Sequence, residues 1–76
     1  MNAQRRKDIQ NAIELLYEAK SILETSLEEE QNSFDNMPEG LQNSERGEKM
    51  EEYIGYLDDS ISSIDDSIEY TEYCIN

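Results

Sequence analysis

The sequence predicts an all-α protein: an antiparallel two-helix hairpin, coiled-coil-like, that dimerises into a four-helix bundle. Apolar residues recur at alternating steps of four and three on both sides of a single central interruption, which contains the only proline of the chain. A length of 76 residues allows one domain. We predict helix 1 over residues 2–36, a loop over 37–43 and helix 2 over 44–75.

The second helix has the clearer heptad pattern, with isoleucine at every a position from residue 54 onward. Its predicted seam consists of Met50, Ile54, Leu57, Ile61, Ile64, Ile68, Thr71 and Ile75. The first helix follows the same rule at Ile9, Ile13, Leu16, Leu23, Leu27 and Phe34. Lys20 is the one break, and a lysine at an a position costs stability but can set register or partner number. We expect its stem to be buried and its ammonium group to reach outward.

Apolar residues beside the seam predict a second contact. The c positions widen the apolar arc of each helix to roughly 160°, which is more than a two-stranded seam needs. A chain this short buries only about 60% of its unfolded surface, so self-association is an obvious source of stability. We predict a dimer interface that contains Leu15, Ile22 and Tyr56. The alternative is that the same stripe is offered to a target.

Charge placement favours the antiparallel arrangement. Folding at the loop brings the acidic run 28–30 toward Arg46 and Lys49, and brings the basic run 5–7 toward Glu69 and Glu72. Each exposed ion pair contributes only about 0–1 kcal/mol, so these pairs select orientation more than they stabilise.

The net charge of −13, from 19 acidic and 6 basic side chains, indicates the class of partner. It opposes direct binding to nucleic acid or to an anionic membrane and favours a basic protein surface. The N-terminal region has no uninterrupted apolar stretch, so we expect neither a signal peptide nor a membrane span and predict a cytoplasmic protein. Cys74 is the only cysteine, which excludes an internal disulfide.

Catalytic chemistry finds little support in this composition. The chain has no histidine, no glycine-rich phosphate loop and no nucleophile motif. Asp58 and Asp59, like Asp65 and Asp66, are helix neighbours that diverge by about 100° and so cannot chelate one ion together. We predict no enzyme, no cofactor and no metal site.

The acidic face of helix 2 is the leading candidate for a binding site. We predict that its partner-binding residues are Asp58, Asp59, Asp65, Asp66, Glu69, Glu72 and Tyr73. The carboxylate pairs recur about every 10.5 Å, one heptad of rise. DNA carries roughly one charge per 1.7 Å, so one helix is a poor DNA mimic and a bundle a closer one. The alternative is a solvated face that keeps a small bundle soluble.

The loop contains more specific residues than a connector needs. Pro38 followed by Gly40 fits a tight turn, Asn43 or Ser44 can cap helix 2, and Phe34, Met37 and Leu41 can close the end of the bundle. Asp35 and Asn36 have no such structural reason and are predicted partner contacts. The loop is therefore either a structural cap or a recognition tip.

The loop also carries a resemblance. The run FDNMPEGLQ, residues 34–42, followed by SERG, residues 44–47, resembles the central signature of short acidic helical proteins predicted in bacteriophages and other mobile elements of gut and related Gram-positive bacteria. The resemblance covers about 14 residues, implies a phage or mobile-element setting and transfers no catalytic residue.

Together these observations predict a non-catalytic protein-binding module. The leading hypothesis is an inhibitor that occupies the basic, nucleic-acid-binding surface of a host defence protein. The alternatives are a structural or assembly coiled-coil module and, with less support, a sponge for a small signalling nucleotide near Arg46 and Lys49.

Overall fold

The computed structural model describes all residues from 1 to 76, and its only regular elements are helices. α1 spans Ala3–Asp35, a single helical turn α2 spans Glu39–Gln42, and α3 spans Glu45–Ile75. The molecule measures 58 × 15 × 14 Å, as expected for two helices of about 50 Å lying side by side. The helical fold class is therefore confirmed.

Polar side chains cap the start of both long helices. The Asn2 side chain accepts a hydrogen bond of 2.8 Å from the backbone N–H of Arg5. Ser44 is the N-cap of α3 and accepts a bond of 3.4 Å from the N–H of Gly47, which decides between the two cap candidates. Glu45 and Glu48 lie in the first turn of α3, where carboxylates complement the helix dipole.

The contact between α1 and α3 follows the heptad seam. Ile13 and Ile68 are the most buried apolar side chains, 3% and 6% exposed, and every other predicted seam residue is half-buried. Lys20 is half-buried, and so is Glu30, which occupies the d position after Leu27 and is a second polar break that the pattern analysis missed. Two helices alone leave most seam side chains partly exposed to water, so the core is narrow.

Two contacts give the relative placement of the long helices. Tyr17 of α1 bonds Glu72 of α3, and Lys20 pairs with Asp65, so moving forward along α1 moves backward along α3. Lys20 lies 17 residues after the start of α1 but Asp65 only 10 before the end of α3. The first turns of α1 thus extend about seven residues, roughly 10 Å, beyond α3. We call residues 1–8, all exposed, the overhang.

The overhang explains why one expected set of ion pairs is absent. Arg5, Arg6 and Lys7 lie beyond the end of α3, and Lys20–Asp65 is the single ion pair of the chain. At the other end, Arg46 and Lys49 line one groove with Glu30 without forming an ion pair. Exposed charges of this kind gain little from direct contact, because solvation competes with it.

The loop contains a helical turn where the sequence suggested a tight turn around Pro38 and Gly40. Pro38 precedes α2 with φ of −56°, and its carbonyl accepts bonds from the N–H groups of Leu41 and Gln42. Gly40 does not adopt a positive φ, so the turn does not need its conformational freedom. Phe34 and Met37 are half-buried as expected for a plug, whereas Leu41 remains 48% exposed.

Candidate protein-binding surface

Carboxylates without a cationic partner dominate the surface of the molecule. One of the 19 acidic side chains, Asp65, pairs with a basic side chain, which leaves the other 18 unpaired. From residue 50 to the end of the chain there is no lysine or arginine. From Met50 onward, every charged side chain of α3 is therefore acidic, and the one cation that pairs with this part of the helix is Lys20 of α1.

Lys20 and Asp65 form the closest polar contact between the long helices. The Lys20 Nζ lies 2.7 Å from an Asp65 carboxylate oxygen. The hydrogen bond to Asp65 raises the pKa of Lys20 above its ordinary value, partly opposed by desolvation, and nearby Glu24 acts in the same direction as Asp65. Asp65 was predicted as a partner contact, but its carboxylate is already engaged within the chain.

Two tyrosines engage two more of the predicted binding residues. The Tyr17 hydroxyl donates to Glu72 across the helices at 3.4 Å, and Glu72 is half-buried. The Tyr73 hydroxyl donates to Glu69 within α3 at 2.8 Å, and both side chains remain exposed. Glu72 is thus turned partly toward α1, whereas Tyr73 and Glu69 present an aromatic ring beside a carboxylate, an arrangement suited to stacking with arginine.

The remaining acidic candidates are fully available. Asp58, Asp59 and Asp66 are exposed and take part in no ion pair and no side-chain hydrogen bond. Asp58 also borders a groove between α1 and α3. We call this the acidic groove: its floor is apolar, formed by Leu27, Ile54 and Ile61, and its rim carries Glu24, Glu28 and Asp58.

The acidic groove has the chemistry that a long basic side chain needs. Lysine and arginine combine an aliphatic stem with a cationic end, and they place the stem on apolar surface while the charge reaches a polar rim. Three carboxylates from two helices surround the groove, and none forms an ion pair within the chain, although Glu24 lies near Lys20. Sequence reasoning missed Glu24 and Glu28 because it treated the acidic rows of α3 alone.

Asp35 and Asn36, the predicted loop contacts, lie where α1 ends. Asp35 accepts a hydrogen bond of 3.0 Å from the Gln31 side chain, and the backbone N–H of Asn36 bonds the Asn32 carbonyl. Both side chains are exposed. Their polar groups are therefore accessible at the end of α1, just before α2.

Two other loop residues have structural roles that the sequence pattern did not reveal. Gln42 donates from its side-chain amide to the Phe34 carbonyl at 2.9 Å, and the same carbonyl accepts from the backbone N–H of Met37 at 3.1 Å, so Gln42 ties the loop to the end of α1. Gly47 is buried, and a Cβ there would overlap the backbone carbonyl oxygen of Gln42. The available signal for Gly47 was a glycine in the first turn of a helix, where its low helix propensity needs a reason.

The predicted dimer residues are exposed in the single chain. Leu15 and Ile22 on α1 are 63% and 67% exposed, and Tyr56 on α3 is 61% exposed. Tyr70 is also exposed. Most of each of these side chains is therefore left uncovered by the contact between α1 and α3.

The arrangement of the side chains also bears on metal binding, thiol chemistry and membrane spanning. No three histidine, cysteine, aspartate or glutamate side chains converge as a metal site would require. Cys74 is a free, exposed thiol. None of the helices combines the length and the apolar character needed to cross a membrane.

Comparisons with known proteins give no relative. No family model, no curated protein and no solved structure matches the chain.

Proposed function

We propose that the protein is a non-catalytic binding module of phage or mobile-element origin that occupies the basic, nucleic-acid-binding surface of a host protein, such as a defence protein. Its architecture in this proposal is an antiparallel helical hairpin that self-associates into a four-helix bundle. The observation that carries the proposal is the acidic groove, whose three rim carboxylates form no ion pair within the chain.

Each part of the surface has a role in this proposal. An arginine or lysine of the partner lies in the acidic groove, with its stem on Leu27 and Ile61 and its charge near Asp58. Asp59, Asp66, Glu69 and Tyr73 extend the contact along α3. Asp65 and Glu72 act indirectly, because they hold α1 and α3 together. The loop resemblance supports the mobile-element setting.

The test begins with the partner. The tagged chain is incubated with bacterial lysate at low salt, the captured proteins are released by a salt gradient, and each is purified and assayed for nucleic-acid binding. We expect a basic nucleic-acid-binding protein whose affinity for the chain falls steeply with salt and whose nucleic acid the chain displaces. Affinity that does not change with salt, or ternary complexes with nucleic acid, would contradict the proposal.

Matched neutralisations then test the groove. The variant Glu24→Gln/Glu28→Gln/Asp58→Asn removes three charges at the groove, and Asp8→Asn/Glu14→Gln/Glu39→Gln removes three exposed charges elsewhere. We expect the first variant to weaken partner binding at least about tenfold and the second to weaken it about twofold or less. Equal effects would indicate that only net charge matters.

A structural or assembly module is the second candidate, and the exposed apolar side chains favour it. In this case Leu15→Glu or Ile22→Glu abolishes the biological effect, while reversing Asp58, Asp59 and Asp66 leaves it intact. Asp65 is left out of that reversal because its loss would also break the contact with Lys20.

The nucleotide sponge has less support. Arg46 and Lys49 share a groove with Tyr53, but Glu30 and Glu45 line the same groove and oppose an anionic ligand. Calorimetry with cyclic dinucleotides tests this third candidate, and an absence of heat would remove it.

A further inference from the structure

One side of the α1–α3 pair has no covering element although it carries large apolar side chains. We call it the twofold face, formed by Leu15 and Ile22 of α1 and by Tyr56 and Tyr70 of α3. These side chains are 63%, 67%, 61% and 69% exposed.

The contacts between the helices show that these four side chains share one side. Tyr17–Glu72 and Lys20–Asp65 join the helices along the edge formed by e positions. The opposite edge is formed by g positions, and there Ser33, Arg46 and Tyr53 line one common groove. Because c positions lie on the g side of a heptad wheel, the four apolar side chains flank this second edge.

The small polar residues between them are already satisfied. Ser60, Ser67 and Cys74 occupy successive g positions of α3, and each donates to the backbone carbonyl four residues earlier, at 2.8, 3.0 and 3.7 Å. When a partner covers this edge, both serine hydroxyls keep these hydrogen bonds. The main free-energy cost of burying a serine, an unpaired hydroxyl, is therefore avoided.

The spacing on the twofold face is symmetric. Leu15 and Ile22 are one heptad apart, centred beside Ala19, and Tyr56 and Tyr70 are two heptads apart, centred on Ser63. The pair Lys20–Asp65 places these two centres within about one helical turn of each other. A twofold axis between the two centres would bring Leu15 within about one helical turn of Ile22 of a second copy, and Tyr56 within about one turn of its Tyr70, as a self-complementary interface requires.

We propose that the twofold face binds a second copy of this chain head to tail, with the loops at opposite ends of the bundle. This inference rests on the self-association in the proposed function but not on the identity of the partner protein. α1 then packs against α1 of the second copy, and α3 against α3, each in opposite directions.

Charge complementarity selects this orientation. The overhang carries Arg5, Arg6 and Lys7, which have no ion pair within the chain. With Leu15 level with the second copy's Ile22, the same register brings Lys7 level with its Glu30, so the overhang lies at the end that carries the run Glu28–Glu30. The overhang of each copy thus neutralises the acidic end of the other, in a molecule whose net charge of −13 otherwise repels its copies.

The opposite orientation lacks these matches. With the loops at the same end, the two basic overhangs lie together and repel each other. The register of Lys20 and Asp65 then sets Leu15 near Tyr70, but it leaves Ile22 near Ser63 and Tyr56 near Glu29, so two of the four apolar side chains lie beside polar ones.

The first experiment measures the assembly. Sedimentation equilibrium should show a dimer, and Leu15→Glu and Ile22→Glu should each raise its dissociation constant at least about 100-fold, since each change occurs twice in a twofold interface. Tyr73→Glu, which adds the same charge on an exposed residue away from the face, should change it less than about fivefold. Circular dichroism checks that all variants stay helical. A wild-type chain that stays monomeric would overturn the proposal.

The second experiment measures orientation with the one natural thiol. A spin label on Cys74 lies 11 residues from the centre at Ser63, so the head-to-tail dimer separates the two labels by roughly 33 Å along the helix axis. With the loops at the same end, both labels lie at one end, less than about 20 Å apart. Pulsed electron paramagnetic resonance distinguishes these distances, and the short one would overturn the proposal.

A charge swap tests the role of the overhang. Arg5→Glu/Arg6→Glu/Lys7→Glu should weaken the dimer at least about tenfold, and adding Glu28→Lys/Glu29→Lys/Glu30→Lys should restore it. As a control, Asp58→Lys/Asp59→Lys/Asp66→Lys is added to the overhang variant instead. These changes restore the same net charge but place no opposite charge beside the overhang, so they should not rescue the dimer. Equal rescue by both sets would overturn the assigned orientation. Loss of partner binding with an intact dimer would instead count only against the proposed function.

Discussion

The Lys20 Nζ lies 2.7 Å from an Asp65 carboxylate oxygen, which joins an a position of α1 to an e position of α3. Lys20 replaces an apolar residue in the seam, and Asp65 belongs to the acidic row that the sequence assigns to a partner. The contact therefore uses one carboxylate of the candidate surface to fix the register of the two helices.

Replacing Lys20 with leucine should stabilise the chain. A leucine at this a position would extend the apolar seam between Leu16 and Leu23, whereas the half-exposed ion pair contributes little. We expect a higher urea midpoint for Lys20→Leu. Asp65→Asn, which keeps Lys20 but removes its acceptor charge, serves as the comparison and should lower the midpoint. A lower midpoint for Lys20→Leu would show that the ion pair stabilises more than packing does.

The same contact predicts a pH dependence on the alkaline side. Asp65 raises the pKa of Lys20 in the folded chain. The stabilisation is therefore complete below the unfolded lysine pKa of about 10.4 and is lost as pH rises through the higher folded value. Comparison with a variant that lacks this ammonium group isolates its contribution, so the measurement is the difference in urea midpoint between wild type and Lys20→Met from about pH 8.5 to 11.5. A difference that stays constant across this range would contradict the prediction.

Gly47→Ala should destabilise the loop end of the molecule. The new Cβ would overlap the Gln42 carbonyl oxygen and would lie 2.6 Å from the Leu41 oxygen, so backbone must move. We expect a loss of about 1–3 kcal/mol in the free energy of unfolding. Gly55→Ala is the matched control: a Cβ added there would have no neighbour within 4 Å, and the change should add about 0.5–1 kcal/mol. Equal effects at both positions would contradict the close contact.

Gln42→Ala tests whether the loop is a cap or a recognition tip. Loss of the bond to the Phe34 carbonyl should cost about 1 kcal/mol in the free energy of unfolding. Asn36→Ala, an exposed neighbour without a side-chain hydrogen bond, should leave stability within about 0.5 kcal/mol. Partner binding is measured for both. If Asn36→Ala alone abolishes binding, the loop is a recognition tip, and if neither change affects it, the loop is a cap.

Most of the fold could be predicted from the sequence because both long helices follow a heptad repeat. Isoleucine at Ile54, Ile61 and Ile68 defines a stripe whose burial needs no knowledge of the partner helix, since any helix that covers it must lie along the same line. The exposure of Leu15 and Ile22 followed from the same wheel. The polar break at Glu30 was not predicted, because the pattern was continued from the a position Leu27 to the a position Phe34 without the d position between them.

The loop conformation was harder to predict because its local sequence fits two structures. Proline followed two residues later by glycine is compatible with a tight turn and with the start of a helical turn, and the choice depends on where α3 lies relative to the end of α1. Gln42 reaches back eight residues to Phe34, a separation without any periodic signal.

The sequence by itself determined the helical class, the seam, the acidic character and the position of the loop, because heptad spacing and charge are properties of one chain in isolation. Only the tertiary structure decided which carboxylates remain free, that Glu24, Glu28 and Asp58 border one groove, and that α1 extends past α3. Each of these depends on the axial offset of two helices, and a heptad repeat constrains that offset only to within whole turns. The contacts that select one offset, Lys20 with Asp65 and Tyr17 with Glu72, join residues far apart in the chain.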